Sequence, residues 1–144
     1  MKKKLAVYLV LMGLCLGFFG FPQLVPAQEK EEDSNRLVVL WSSGDKDVAM
    51  KMVFMYVYNG KKRGWWDEIA LIVWGPSSKL LAGDKELQEE VKKMMEEGVQ
   101  VFACKACSDS YGVSEKLSAL SIEVKYMGVA YTEMLQGGWV SVTF

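Results

Sequence analysis

Ile69-Ala70-Leu71-Ile72-Val73-Trp74 is an unbroken apolar run, cut off by Gly75-Pro76. A strand with one wet face alternates apolar and polar residues, so a continuous run marks a strand buried on both faces. Leu37-Val38-Val39-Leu40-Trp41, closed by Ser42-Ser43-Gly44-Asp45, reads the same way, as does Val99-Gln100-Val101-Phe102-Ala103, which leads into Cys104-Lys105-Ala106-Cys107. Helical stretches separate these runs. Asp47 to Tyr58 ends at Asn59-Gly60, and Asp84 to Glu97 ends at Gly98. Further on, Val113 to Leu120 reads as a short helix, Ile122 to Tyr126 as a fourth strand, Tyr131 to Leu135 as a turn or short helix, and Trp139 to Phe144 as a fifth strand. Strands alternating with helices predict an α/β domain: three layers, flavodoxin-like, a five-stranded mainly parallel sheet with helices on both faces.

The N-terminus has a different composition. Lys2, Lys3 and Lys4 precede an apolar or glycine run from Leu5 to Phe21, and Val25-Pro26-Ala27-Gln28 supplies the small residues of a cleavage site. That is the layout of a secretory signal peptide over residues 1–27. It predicts a periplasmic or secreted protein, or a membrane-anchored one if the segment is retained, because the run is long enough to span. Residues 28–36 (QEKEEDSNR) read as a charged, flexible leader, and residues 37–144 as the domain. Removing residues 1–27 leaves 117 of the 144 residues, enough for one domain. The three lysines go with it, so the net charge moves from −1 to −4. A mildly acidic domain without a basic stripe is a poor nucleic-acid binder. Once the signal is removed nothing holds the chain to a membrane.

The two long helices differ. In the second, Leu87, Val91, Met94 and Met95 form one apolar stripe, as on an ordinary surface helix. In the first, Val48 to Tyr58 is apolar or aromatic all round except for Lys51. Such a helix needs cover on both sides, which a chain of this size cannot supply alone. A second copy is the expected cover, making the helix over 47–58 the interface of a homo-oligomer. Met50, Met52 and Met55 do not stack on one helical face, so packing explains them better than copper.

The chemistry concentrates at Cys104 and Cys107. The chain has no histidine, which excludes Ser-His and Cys-His nucleophile pairs and histidine metal sites. Without the signal segment and its Cys15, Cys104 and Cys107 are the only cysteines, and in an oxidising compartment they read as a thiol–disulfide pair. Parallel sheets carry their sites at the carboxyl ends of strands, near a reversal of strand order. For the order 2-1-3-4-5 the reversal lies between strands one and three, beside Ser42, Ser43, Asp45, Pro76, Ser77 and the cysteines. Lys105 and the backbone N–H groups of the following turn are expected to lower a thiol pKa, with Ser108 or Ser110 capping that turn. A structural disulfide is the bland alternative, yet so small a ring adds at most about 2 kcal/mol. Two thiolates are half a tetrahedral metal site, and Asp45 and Asp47 would repel a phosphate at the first helix. No metal or cofactor is expected. A thioredoxin-type site is disfavoured: no Trp precedes Cys104, and no later Pro exists to face the pair.

Gly64-Trp65-Trp66-Asp67-Glu68, Val73-Trp74-Gly75-Pro76-Ser77 with Lys79-Leu80-Leu81, and Val101-Phe102-Ala103-Cys104-Lys105-Ala106-Cys107 follow one another in a recognisable order. With Tyr111-Gly112-Val113, Leu120-Ser121-Ile122-Glu123-Val124 and Gly138-Trp139, the mature chain resembles the DsrE/DsrF-like family. The resemblance implies a compact five-stranded α/β fold, assembly into trimers or hexamers, and sulfur carried as a cysteine persulfide between donor and acceptor proteins. The reactive cysteine would be Cys104 or Cys107. Two departures stand out: better-understood members are cytoplasmic, and a sulfur carrier needs one thiol where this chain has two. Thiol–disulfide exchange and a non-catalytic oligomeric binding module with an inert disulfide are the competing readings.

Overall fold

The computed structural model describes residues 35–144. The expected signal segment, and the leader up to residue 34, lie outside the described residues. Strand β1 (Arg36–Trp41) includes Arg36, one residue earlier than the expected domain start. Helix α1 follows in three consecutive segments: α-helical Lys46–Val48, π-helical Ala49–Phe54 and α-helical Met55–Lys62. Next come β2 (Glu68–Val73), α2 (Pro76–Gly83), α3 (Lys85–Glu96) and β3 (Gln100–Cys104). The remainder is α4 (Lys105–Ser110), α5 (Ser114–Ser118), β4 (Glu123–Lys125), α6 (Met127–Gln136) and β5 (Val140–Thr143).

All neighbouring strands pair parallel, in the order β4-β3-β2-β1-β5. The five-stranded α/β class is as expected, but the strand order 2-1-3-4-5 is not what forms. Apolar runs say which segments are strands; they do not say on which side of β1 the next strand is laid. Here each of the first three connections steps one strand in the same direction. Right-handed crossovers then place α1, α2, α3 and α5 on one face of the sheet, while α4 turns off the end of β3 at its edge. The last connection runs back from β4 across the whole sheet to β5, which puts α6 on the opposite face.

Packing agrees with that reading. Ala49, Val53, Phe54 and Val57 of α1, Leu81 of α2, Leu87, Val91 and Met94 of α3 and Leu117 of α5 share one core with Leu37, Val39, Trp41, Ile69, Leu71, Val73, Val101 and Ala103. The opposite face holds a smaller core of Val38, Ala70, Ile72, Phe102, Cys104 and Met127, flanked by Ala130, Tyr131 and Met134 of α6. β2, whose residues Ile69 to Val73 are fully buried, is the centre of both.

Local signals explain the ends of α1 and α3. Asp45 caps α1, its Oδ1 accepting from Asp47 N (2.7 Å) and Val48 N (3.1 Å). Asp84 does the same for α3 through Glu86 N and Leu87 N. Each satisfies donors that a helix start leaves unpaired. The π-helical turn of α1 turns Val53 and Phe54 inward together, Phe54 meeting Trp41 edge-on at 5.0 Å, and leaves Met52 and Met55 outside. At Gly60 the helix comes so close to β2 that an added Cβ would lie 3.2 Å from Ile69 Cδ1. A side chain there would need Ile69 and Trp66, whose Cδ1 atoms would lie 3.2 and 3.3 Å away, to give by a few tenths of an ångström.

Candidate functional site

β3 delivers the two cysteines. Val101, Phe102 and Ala103 anchor the strand in both cores, and Cys104 is its last residue and the cap of α4. Ser108 Oγ donates to Cys104 O (2.9 Å), while Tyr111 N (3.1 Å) and Ser110 Oγ (2.7 Å) donate to Cys107 O. Ser108 and Ser110 thus brace the turn that carries both thiols by donating back to its carbonyls; neither caps a helix start, the role expected of them.

The thiols are unequal. Both are free, but Cys104 is only 4% exposed, packed in the smaller core, whereas Cys107 is half-buried at that core's margin. Burial pushes the Cys107 thiol above its usual value, the neighbouring Cys104 thiol pushes it further, and the backbone N–H of Gly75 partly offsets both. This corrects the expected lowering. Lys105, its intended cause, is neutralised by Asp109: Nζ lies 2.6 Å from Oδ2 and 5.9 Å from the Tyr126 ring centroid. The pairing raises the Lys105 pKa and holds Asp109 below the usual carboxylate range, with help from Ser114.

The other expected residues divide into two groups. Pro76 and Ser77 open α2, next to Gly75 and therefore beside Cys107. Ser77 is fully buried and structural: its Oγ donates to Trp41 O (2.6 Å) and accepts from Trp74 N (3.0 Å), tying the ends of β1 and β2 together. Ser42, Ser43 and Asp45 stand at the end of β1, separated from β3 by β2. Ser42 N, Ser42 Oγ and Ser43 N all donate to Phe144 O, at 2.7, 2.8 and 3.1 Å. The reversal of strand order lies there, between β1 and β5, and Phe144 occupies it. All three turns do lie on one edge of the sheet, as expected, but the turn after β1 reaches the thiols only by way of the Gly75–Pro76 turn, which lies against Gly44 on one side and Cys107 on the other.

Four contributors escaped the sequence reading. Gly75, read only as a strand stop, has φ +71° and ψ −133°, which a residue with a Cβ rarely adopts, and this turns its N–H towards Cys107. Trp74 and Tyr131 meet edge-on at 5.9 Å and flank the smaller core alongside Cys107. Lys125 pairs in register with Cys104 on β4, its Nζ 4.2 Å from the Phe102 ring centroid and 3.0 Å from Glu123. Among the described residues no three His, Cys, Asp or Glu side chains converge on a metal position.

A family model described as the DsrE/DsrF-like family matches residues 49–144, which takes in α1, the Gly75 turn and both cysteines. The chain belongs to the DsrE/DsrF-like family. Membership points to a sulfur-relay type of function. Among solved structures the chain is similar to a conserved protein of unknown function, BT1422, from Bacteroides thetaiotaomicron. The two are 38% identical over 76% of this chain and 95% of that one, with a TM-score of 0.74. It also shares its fold with MTH1491, of unknown function, from Methanobacterium thermoautotrophicum (18% identity, TM-score 0.60, 76% and 98% covered). The same holds for the ychN protein of E. coli (13% identity, TM-score 0.55, 76% and 99% covered). No curated protein matches the chain.

Proposed function

We propose that this DsrE/DsrF-like protein carries sulfur as a persulfide on Cys107, with Cys104 as the resolving thiol. The observation that carries the reading is the inequality of the pair: one thiol reachable, the other buried against it. Cys107 as thiolate attacks the outer sulfur of a sulfane donor. The donor's S–S bond breaks, its thiolate leaves, and the outer sulfur stays on Cys107. Release follows one of two routes: an acceptor thiolate takes the outer sulfur, or Cys104 attacks Cys107 Sγ, expelling hydrosulfide and closing a disulfide. The raised Cys107 pKa makes uptake slow at neutral pH and faster on the alkaline side.

Treatment with inorganic polysulfide tests the assignment. Cys107→Ser should take up no sulfur, whereas Cys104→Ser should hold it and release no hydrosulfide. Uptake by Cys107→Ser at the rate of the unaltered protein would overturn it.

Two further parts of the reading rest on other residues. The signal-like segment over residues 1–27 supports a periplasmic or secreted site of action. Among the described residues no helix is long and apolar enough to cross a membrane. Exposed Met52 (51%), Met55 (56%) and nearby Trp65 (48%) support a homo-oligomer formed through α1. Replacing Met52 and Met55 together by Lys should dissociate it in sedimentation; a monomer before substitution would exclude the assembly.

A further inference from the structure

Beside the Gly75–Pro76 turn the surface opens into a groove of about 600 Å³, whose walls include Gly44, Pro76, Lys79, Leu80, Asp84 and Tyr111. It draws on the segments that follow β1, β2 and β3, so it lies on the same edge of the sheet as the thiols. Neither cysteine lines it. Pro76 does, and the preceding Gly75 faces Cys107; Tyr111 does, and its backbone N–H donates to Cys107 O at 3.1 Å. The groove therefore ends one residue from the site on one wall and one helical turn from it on the other.

We propose that this groove seats a low-molecular-mass organic persulfide bearing a carboxylate, which hands its outer sulfur to Cys107. The inference rests on Cys107 being the sulfur acceptor and adds the class of donor.

Charge selects the donor. Asp84 is satisfied: Lys46 Nζ lies 2.8 Å from its Oδ2, and its Oδ1 accepts from Glu86 N and Leu87 N. Lys79, by contrast, makes no ion pair among the described residues. The one uncompensated charge on the groove wall is thus a cation, which favours an anionic guest. Pro76, Leu80 and the exposed ring of Tyr111 offer apolar surface for the guest's carbon atoms. The volume falls within the range of roughly 300 to 1,000 Å³ that holds small organic ligands. Hydrosulfide or a bare polysulfide would leave it nearly empty. A thiol of tripeptide size matches that volume. The transfer is redox-neutral. The Cys107 thiolate forms an S–S bond to the donor's outer sulfur, the donor's own S–S bond breaks, and the donor departs as a thiolate that takes up a proton.

Glutathione persulfide and the persulfide of glutathione diethyl ester make a matched pair of probes, with and without carboxylates. Sulfur uptake by Cys107 should saturate with the first and not with the second. Lys79→Glu should abolish saturation and slow uptake from glutathione persulfide about tenfold at low donor, the scale of one charge-assisted contact. Lys79→Gln should fall between, and uptake from inorganic polysulfide should be equal in all three proteins. S-methylglutathione, which has no sulfur to give, should bind the unaltered protein and not Lys79→Glu in calorimetric titration. Uptake that ignores Lys79 or the ester, or no binding of S-methylglutathione, overturns the groove assignment. If S-methylglutathione binds through Lys79 while no donor modifies Cys107, the anion seat stands and the sulfur-acceptor reading fails.

Discussion

The two faces of the sheet are built to different thicknesses. One carries four helices and a core that includes Leu37, Trp41, Leu71 and Leu87; the other is covered, among the described residues, chiefly by α6, with Cys107 of α4 at its margin. The thick face is where apolar burial holds the fold. The thin face, with Cys104 inside and Cys107 at its margin, is where solvent comes closest to a buried strand end. The direction of the chain's crossovers made this asymmetry, since only the connection from β4 to β5 runs back across the sheet.

The largest test of that contrast is stability. Leu71→Ala, at the centre of the thick face, should cost about 4 kcal/mol, because a packed site on a central strand relaxes little. Met127→Ala, under the single covering helix, should cost nearer to 2 kcal/mol, because α6 can settle onto the gap. It should also speed alkylation of Cys104. Denaturant unfolding and a timed thiol-labelling assay check both; equal losses with Cys104 still protected would break the contrast.

Much of the thick face was legible from sequence. The continuous runs over 37–41 and 69–74 mark strands buried on both sides, and the caps Asp45 and Asp84 stand where helix starts were expected. The thin face was not. α6 was expected only as a turn or short helix near 131–135, although Met127, Tyr131 and Met134 lie on one helical stripe. Gly128 and the β-branched Val129 and Thr132 weaken helix propensity, and tertiary packing overrides them. The cysteines were placed correctly at the end of the third strand. Their surroundings depended on strand order and on which thiol faces the core, and neither is written in local pattern.

The next test is of pH. Cys107 should be alkylated with an apparent pKa above that of a free cysteine, and Cys104→Ala should lower it by removing the adjacent thiol. The sign carries over to stability. The folded protein holds the Cys107 proton more tightly than the unfolded chain, so the contribution is complete below the ordinary cysteine pKa. It is lost as pH rises through the higher folded value. Unfolding measured from neutral to alkaline pH should show that decline, and the decline should shrink in Cys104→Ala. A Cys107 titration at or below the free-thiol range would contradict the burial of that thiol beside Cys104.

The smallest expected effect concerns Lys105. Because Asp109 holds it, Lys105→Ala should leave both Cys107 alkylation and stability close to unchanged. A marked slowing of alkylation would restore the direct role that its position between the cysteines first implied.

Peptide-level mass mapping after polysulfide treatment shows which thiol holds the sulfur. One added sulfur atom is expected on Cys107, transient in the unaltered protein and persistent in Cys104→Ser. Sulfur found on Cys104 with Cys107 unmodified, or on neither residue, would contradict this assignment.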